Sequence, residues 1–214
     1  RTTARRYFLE YTNGFYPTSI TSDNNHSILL KVNSLNISDK YDTFNIKNDA
    51  LYGINSKGNS KVTIEVIKDI SINSSKSPTF NLYGIYAEDS TVGLKSREGS
   101  VFINLTETRD SASNDVTDGS YVIYSKKDSS VSIDAKNNIQ LTLSSDKNDE
   151  QLVGIASNDS NIHLDAGNTI TISLKAENSD RGSNIIGVWP KTNTSNEKDI
   201  IELTQTQGTA DQEA

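Results

Sequence analysis

Residues 82–105, LYGIYAEDSTVGLKSREGSVFINL, decide the fold, because variants of this stretch recur along most of the chain. The stretch holds three short apolar pieces: Tyr83-Gly84-Ile85, Val92-Gly93-Leu94 and Val101-Phe102-Ile103. Upstream the same order reads Tyr52-Gly53-Ile54, Val62-Thr63-Ile64, Ile70-Ser71-Ile72. Downstream come Tyr121-Val122-Ile123, Val131-Ser132-Ile133 and Ile139-Gln140-Leu141, then Val153-Gly154-Ile155, Ile162-His163-Leu164 and Ile170-Thr171-Ile172. A further copy opens with Ile186-Gly187-Val188, and a partial one begins at Ile28 or Leu29, one residue of register being left open.

Ile54, Ile85, Ile123, Ile155 and Val188 lie 31, 38, 32 and 33 residues apart. Within a copy, successive pieces are mostly 8 residues apart, as from Val62 to Ile70 and from Val131 to Ile139, and 9 from Val92 to Val101. The return to the next copy varies most. Rigid segments with one elastic connection are the signature of a solenoid whose insertions fall on one edge. The pieces alternate apolar and polar residues with period two, are rich in β-branched and aromatic side chains, and are separated by Gly, Asn, Asp and Ser. Three strands per copy, stacked in parallel at about 4.8 Å, make an all-β, single-domain parallel β-helix of the common right-handed kind. The pattern places about five coils in residues 27–203, a cap or leader segment in 1–26 and a polar tail in 204–214. Tyr7, Phe8, Tyr11, Phe15 and Tyr16 concentrate in the first segment, where a first coil needs its apolar end covered. An anchoring or partner-binding segment is the other reading of those aromatics.

Hydrophobic residues are only 33% of the 214, which suits a solenoid whose apolar side chains are needed on inward positions alone. The net charge of −7 and the lack of a Lys/Arg cluster make nucleic acid and anionic membranes poor partners. No apolar run approaches the roughly 20 residues of a membrane span. With no cysteine there is no disulfide framework, thiolate metal site or Cys nucleophile. The chain begins at Arg1, which reads as a processed or excised piece of something longer.

The Tyr-Gly-Ile-Tyr-Ala of 83–87, the Asp-Ser-Thr-Val of 89–92 and the Gly-x-Val-x-Ile of 99–103 resemble the passenger regions of autotransporter proteins from bacteria with an outer membrane, over roughly residues 50–190. In that family a β-helical passenger is displayed at the cell surface by a C-terminal membrane barrel. Many passengers are adhesins or self-association modules, and others carry enzyme domains. The resemblance therefore implies a non-enzymatic surface adhesin that binds itself on neighbouring cells, or a protein or glycan on a host or bacterial surface. A glycan-active enzyme on the same fold and a passive stalk for another domain remain the alternatives.

Equivalent positions of a solenoid stack into columns, so sites are sought by column. Strict alternation puts Tyr83 and Ile85 inward, and Gly53, Gly84, Val122, Gly154 and Gly187 outward. Beside that bare strip lies a second outward column, Asn55, Tyr86, Tyr124, Ala156 and Trp189. Gly53, Asn55, Gly84, Tyr86, Tyr124, Gly154, Gly187 and Trp189 thus form the candidate binding face, suited to sugar stacking or to a self-complementary interface. A return loop of the chain itself lying over the face would favour the same residues. Asn59, Asp89, Asp128 and Asp159, each followed by Ser, suit turns whose side chains bond nearby amides, and bound Ca²⁺ is the alternative. His26 and His163 read as surface residues, no catalytic set stands out, and no cofactor or metal is called for.

Overall fold

Period-two segments of β-branched residues become strands once a neighbour with the same pattern satisfies their backbone groups. The computed structural model describes residues 6–10, 13–15, 17–39, 50–77, 82–107, 119–145, 151–176, 184–190 and 200–205. Among them are sixteen strands and no helix: β1 (Arg6–Glu10), β2 (Ile20–Ser22), β3 (Ser27–Val32), β4 (Leu35–Asp39), β5 (Leu51–Val66), β6 (Ile70–Ser77), β7 (Leu82–Ser96), β8 (Val101–Glu107), β9 (Ser120–Lys126), β10 (Ser130–Ala135), β11 (Asn138–Ser145), β12 (Gln151–Asn158), β13 (Asn161–Ala166), β14 (Thr169–Ala176), β15 (Asn184–Pro190) and β16 (Ile200–Gln205). They form an 11-stranded and a 5-stranded sheet. Every strand pairing is parallel.

The pairings fall into three ladders that follow the sequence repeat. The first runs β2, β5, β7, β9, β12, β15 and stacks Ile20, Ile54, Ile85, Ile123, Ile155 and Val188. The second runs β1, β3, β5, β7, β10, β13, β16 and stacks Tyr7, Ile28, Val62, Val92, Val131, Ile162 and Ile201. Ile28, not Leu29, is therefore the residue in register. The smaller sheet is the third ladder, β4, β6, β8, β11, β14, stacking Leu35, Ile70, Val101, Ile139 and Ile170. Described strands of the expected cap also lie in these ladders: β1 extends the second, β2 the first, and Phe15 bridges to Leu35 of the third. The long return at 108–118, the end of the tail at 206–214, and Tyr11 and Tyr16 lie outside the described residues.

Between the first and second ladders the chain turns through left-handed backbone, and the number of left-handed residues tracks the spacing. Where the spacing is 8 there are two, Asn24 with Asn25, Gly58 with Asn59, and Lys127 with Asp128. Where it is 7, from Ile85 to Val92 and from Ile155 to Ile162, there is one, Asp89 or Asp159. The Asn/Asp column is thus set by backbone conformation, since Asn and Asp adopt this region more readily than most residues. The following serines turn inward: Ser60, Ser90, Ser129 and Ser160 are buried, and the Ser90 and Ser160 hydroxyls donate to the Ser56 and Ser125 carbonyls at 2.8 Å.

The core lies between the two sheets and is filled by Ile, Val and Leu columns from all three ladders. Here the expected orientation of the glycine column is corrected: it faces inward. A Cβ on Gly53, Gly84 or Gly154 would come within 2.4 to 2.6 Å of Ile72, Ile103 or Ile172 on the third ladder. Val122, in the same column, is fully buried in this core. Ladder pairing lapses at the glycine row, so two consecutive residues face the core and alternation resets. Tyr83 and Tyr86, three apart, consequently share the outside, and Tyr83 and Tyr121 do not point into the main core as alternation implies. Gly93, on an outward row of the second ladder, would place a Cβ in open space.

Gly84→Val should therefore destabilise the protein by about 1–3 kcal/mol through overpacking. Gly93→Val should be neutral or stabilising by up to about 1 kcal/mol, since glycine within a strand carries an entropic cost. Urea unfolding of both variants checks the orientation, and equal effects would contradict it.

Candidate functional site

On the outside of the first ladder the reset alternation brings together two rows of side chains, one at the Tyr83 position and one at the Tyr86 position. Register stacks like on like. Tyr52, Tyr83 and Tyr121 lie face to face, with centroids 5.2 and 5.4 Å apart and interplanar angles of 13° and 2°. Tyr86 meets Tyr52, Tyr83 and Tyr124 edge-on at 5.3, 5.2 and 5.8 Å. Tyr124 stacks on Tyr121 at 4.8 Å. Further along, the rows continue as Val153 with Ala156, then Ile186 with Trp189, forming a second apolar cluster outside the main core. Offset and edge-on ring pairs add about 0.5–1.5 kcal/mol each beyond the area they bury.

The next outward row is polar. Lys57, Glu88 and Lys126 occupy the same register on β5, β7 and β9. The Lys57 ammonium sits 4.9 Å from the Tyr86 centroid and 5.3 Å from that of Tyr52. The Lys126 ammonium lies 5.4 Å from Tyr86 and 5.9 Å from Tyr124. Cations at such distances are held by the ring quadrupoles. The Tyr86 hydroxyl donates to Glu88 Oε2 at 2.7 Å, Lys127 pairs with Glu88 Oε1, and Lys126 lies 3.5 Å from Glu88 Oε2. Partial burial works to raise the Glu88 carboxyl, but the hydrogen bonds from Lys127 and Tyr86 and the charges of both lysines outweigh it and bring the group down to about 2. Burial and the hydrogen bond to the Glu88 carboxylate both push the Tyr86 phenol upward.

The expected binding face is thus divided by the structure. Gly53, Gly84 and Gly154 face the core, and Gly187 has no third-ladder neighbour among the described residues and open space among them where a Cβ would stand. Tyr86, Tyr124 and Trp189 are on the outward side as expected, together with Tyr52, Tyr83 and Tyr121, which alternation had turned inward. Tyr83 and Tyr86 are only 6% exposed and Tyr121 only 3%, so these rings are packed elements and not an open stacking platform. Asn55, in the Tyr86 row, has a buried side-chain oxygen that meets no hydrogen-bond partner. The Lys57, Glu88, Lys126 group was legible only as scattered charges, because its members are 31 and 38 residues apart. No group of three or more His, Asp or Glu side chains gathers as a metal site among the described residues.

Two other outward faces are open. The second ladder carries charges that alternate in sign as far as Asp134, whose next neighbour is Asp165, with Lys31 3.9 Å from Glu65, Arg97 paired to Glu65, and Lys95 2.8 Å from Asp134. His163 faces outward, 3.2 Å from Glu202. The third ladder carries amides and hydroxyls: Asn104 donates to Asn73 and Asn73 to Asn36, each at 3.1 Å. Compared with protein-family models, curated proteins and solved structures, the chain matches none.

Because the folded Glu88 carboxyl lies below its ordinary value of 4.5, its contribution to stability is present above that value and is lost as pH falls toward about 2. Urea unfolding of wild type should weaken across this window more than that of Glu88→Gln. Identical pH dependences in the two proteins would contradict the assignment.

Proposed function

We propose that the chain is a segment of a bacterial cell-surface adhesin passenger, a single right-handed β-helix of three short strands per coil that attaches cells to one another or to a host or partner surface. The observation that carries this reading is the in-register parallel stacking of the ladders, which sets equivalent outward positions about 4.8 Å apart along extended faces. A flat repeating face gains affinity by many weak contacts, multiplied when many copies act between two surfaces. The resemblance of residues 50–190 to autotransporter passengers supports the same function and implies display beyond the outer membrane. Outside the tyrosine rows of the first ladder, the outward rows are largely polar, as suits contact with an extended partner.

Beads coated with the purified chain should cluster with one another, or attach to bacterial or host cells, at least about ten-fold more often than beads coated with an unrelated β-rich protein of similar charge. Clustering without attachment would identify self-association, and attachment without clustering a foreign surface. Absence of both would overturn the adhesin reading.

A further inference from the structure

Among the described residues, the outward face of the third ladder differs from the other two in having almost no charge. About a quarter of the chain is charged, and the second ladder's outward face carries the row Lys31, Glu65, Lys95, Asp134 and Asp165. Across β4, β6, β8, β11 and β14, the only charged side chain described on the outward side is Lys175, on the last strand. The other positions hold Asn, Gln, Ser and Thr with one aromatic ring, that of Phe102, half-buried between Ser71 and Gln140.

The amides are already oriented. Asn104 donates to Asn73 and Asn73 to Asn36 at 3.1 Å, and Thr169 donates to Asn138 at 2.9 Å. A side-chain amide has two N–H donors and an oxygen that can accept twice. Asn73 spends one donor and one acceptor within the row, which leaves a further N–H and a lone pair for an outside group. A row fixed in this way costs a ligand little ordering on binding. With a net charge of −7 on the chain, a polyanion is disfavoured, and a face whose one described charge is Lys175 has little hold on a charged peptide.

Resting on the adhesin reading, we infer that this face binds a neutral, extended polysaccharide, laid across the strands with its hydroxyls on the Asn and Gln amides and one sugar ring against Phe102. The ligand chemistry follows from the residues: amides exchange hydrogen bonds with hydroxyls in both directions, and the apolar face of a pyranose covers an aromatic ring. The five strands span about 19 Å at the spacing of parallel sheets, long enough for several consecutive sugars. The tyrosines of the first ladder, packed against one another, are not needed for this contact.

Native affinity electrophoresis with soluble glucan, galactomannan and xylan as neutral probes, and alginate as the acidic one, tests the inference. Wild type should be retarded by at least one neutral polymer and not by alginate. Phe102→Ala and Asn104→Asp should each weaken that binding roughly ten-fold, while Ser132→Asp on the second ladder's face should leave it unchanged. Circular dichroism melting of each variant identifies any loss caused by unfolding, and Asn104→Gln, which keeps an amide, should retain more binding than Asn104→Asp. No retardation by any neutral polymer, or equal retardation of wild type, Phe102→Ala and Asn104→Asp, would overturn it. The bead assay separates the two readings: adhesion that persists in Phe102→Ala rejects this face alone, whereas no adhesion by wild type rejects the adhesin reading itself.

Discussion

Parallel in-register stacking is the constraint on which everything else depends. Each residue of one copy lies beside its counterpart in the next, so every row must tolerate itself as a neighbour. Apolar rows do so by packing, as Val62, Val92, Val131 and Ile162 show. Tyrosines do so by stacking, Tyr52 on Tyr83 on Tyr121. Amides do so by bonding one another, as in Asn36, Asn73 and Asn104. Charges do so mostly by alternating, as Lys57, Glu88 and Lys126 do across β5, β7 and β9, although Asp134 and Asp165 stand side by side on β10 and β13. The low hydrophobic content follows from the same geometry, because apolar residues are required mainly on the inward rows.

Variation between copies is absorbed where it leaves the rows untouched. A spacing of 8 or 7 between the first two ladders is accommodated by two left-handed residues or one, and the register shift between Lys57 and Ser60 on β5 is the trace of that difference. Left-handed backbone is costly for most residues and tolerable for Gly, Asn and Asp, which accounts for the composition of the corners. The serines beside them bury small polar side chains at the bend, where a branched apolar residue would crowd the turn.

The outward faces diverge in chemistry because nothing inside the fold dictates them. The first ladder's face became a second packing surface, with aromatic rings, lysines over the rings and a strongly acidic Glu88 tied to Tyr86. The second face balances its charges in pairs. The third presents ordered amides with Lys175 as its one described charge, the arrangement suited to a neutral hydroxylated partner. Of the three, the tyrosine face is the one that sequence reasoning singles out, since aromatic residues are conspicuous, yet its rings are largely consumed by contacts with one another.

The recurrence of Tyr-Gly-Ile, Val-x-Ile and Ile-x-Ile by itself determined that the chain is all-β and which pieces of the four clear copies stand beside one another, because alternation and repeat spacing are local properties of the string; the register at Ile28 and the pairing of β1 and β2 came from the structure. It also located the corner column at Asn59, Asp89, Asp128 and Asp159. Only the tertiary structure decided which way the first ladder's residues face. The lapse in pairing at Gly53, Gly84 and Gly154 turns two consecutive residues inward, and glycine is required there by the approach of Ile72, Ile103 and Ile172 from the opposite sheet. No period-two reading contains that approach, since it is a contact between ladders. The meetings of Glu88 with Lys127, and of Asn104 with Asn73, likewise exist only because stacking brings together residues 39 and 31 positions apart.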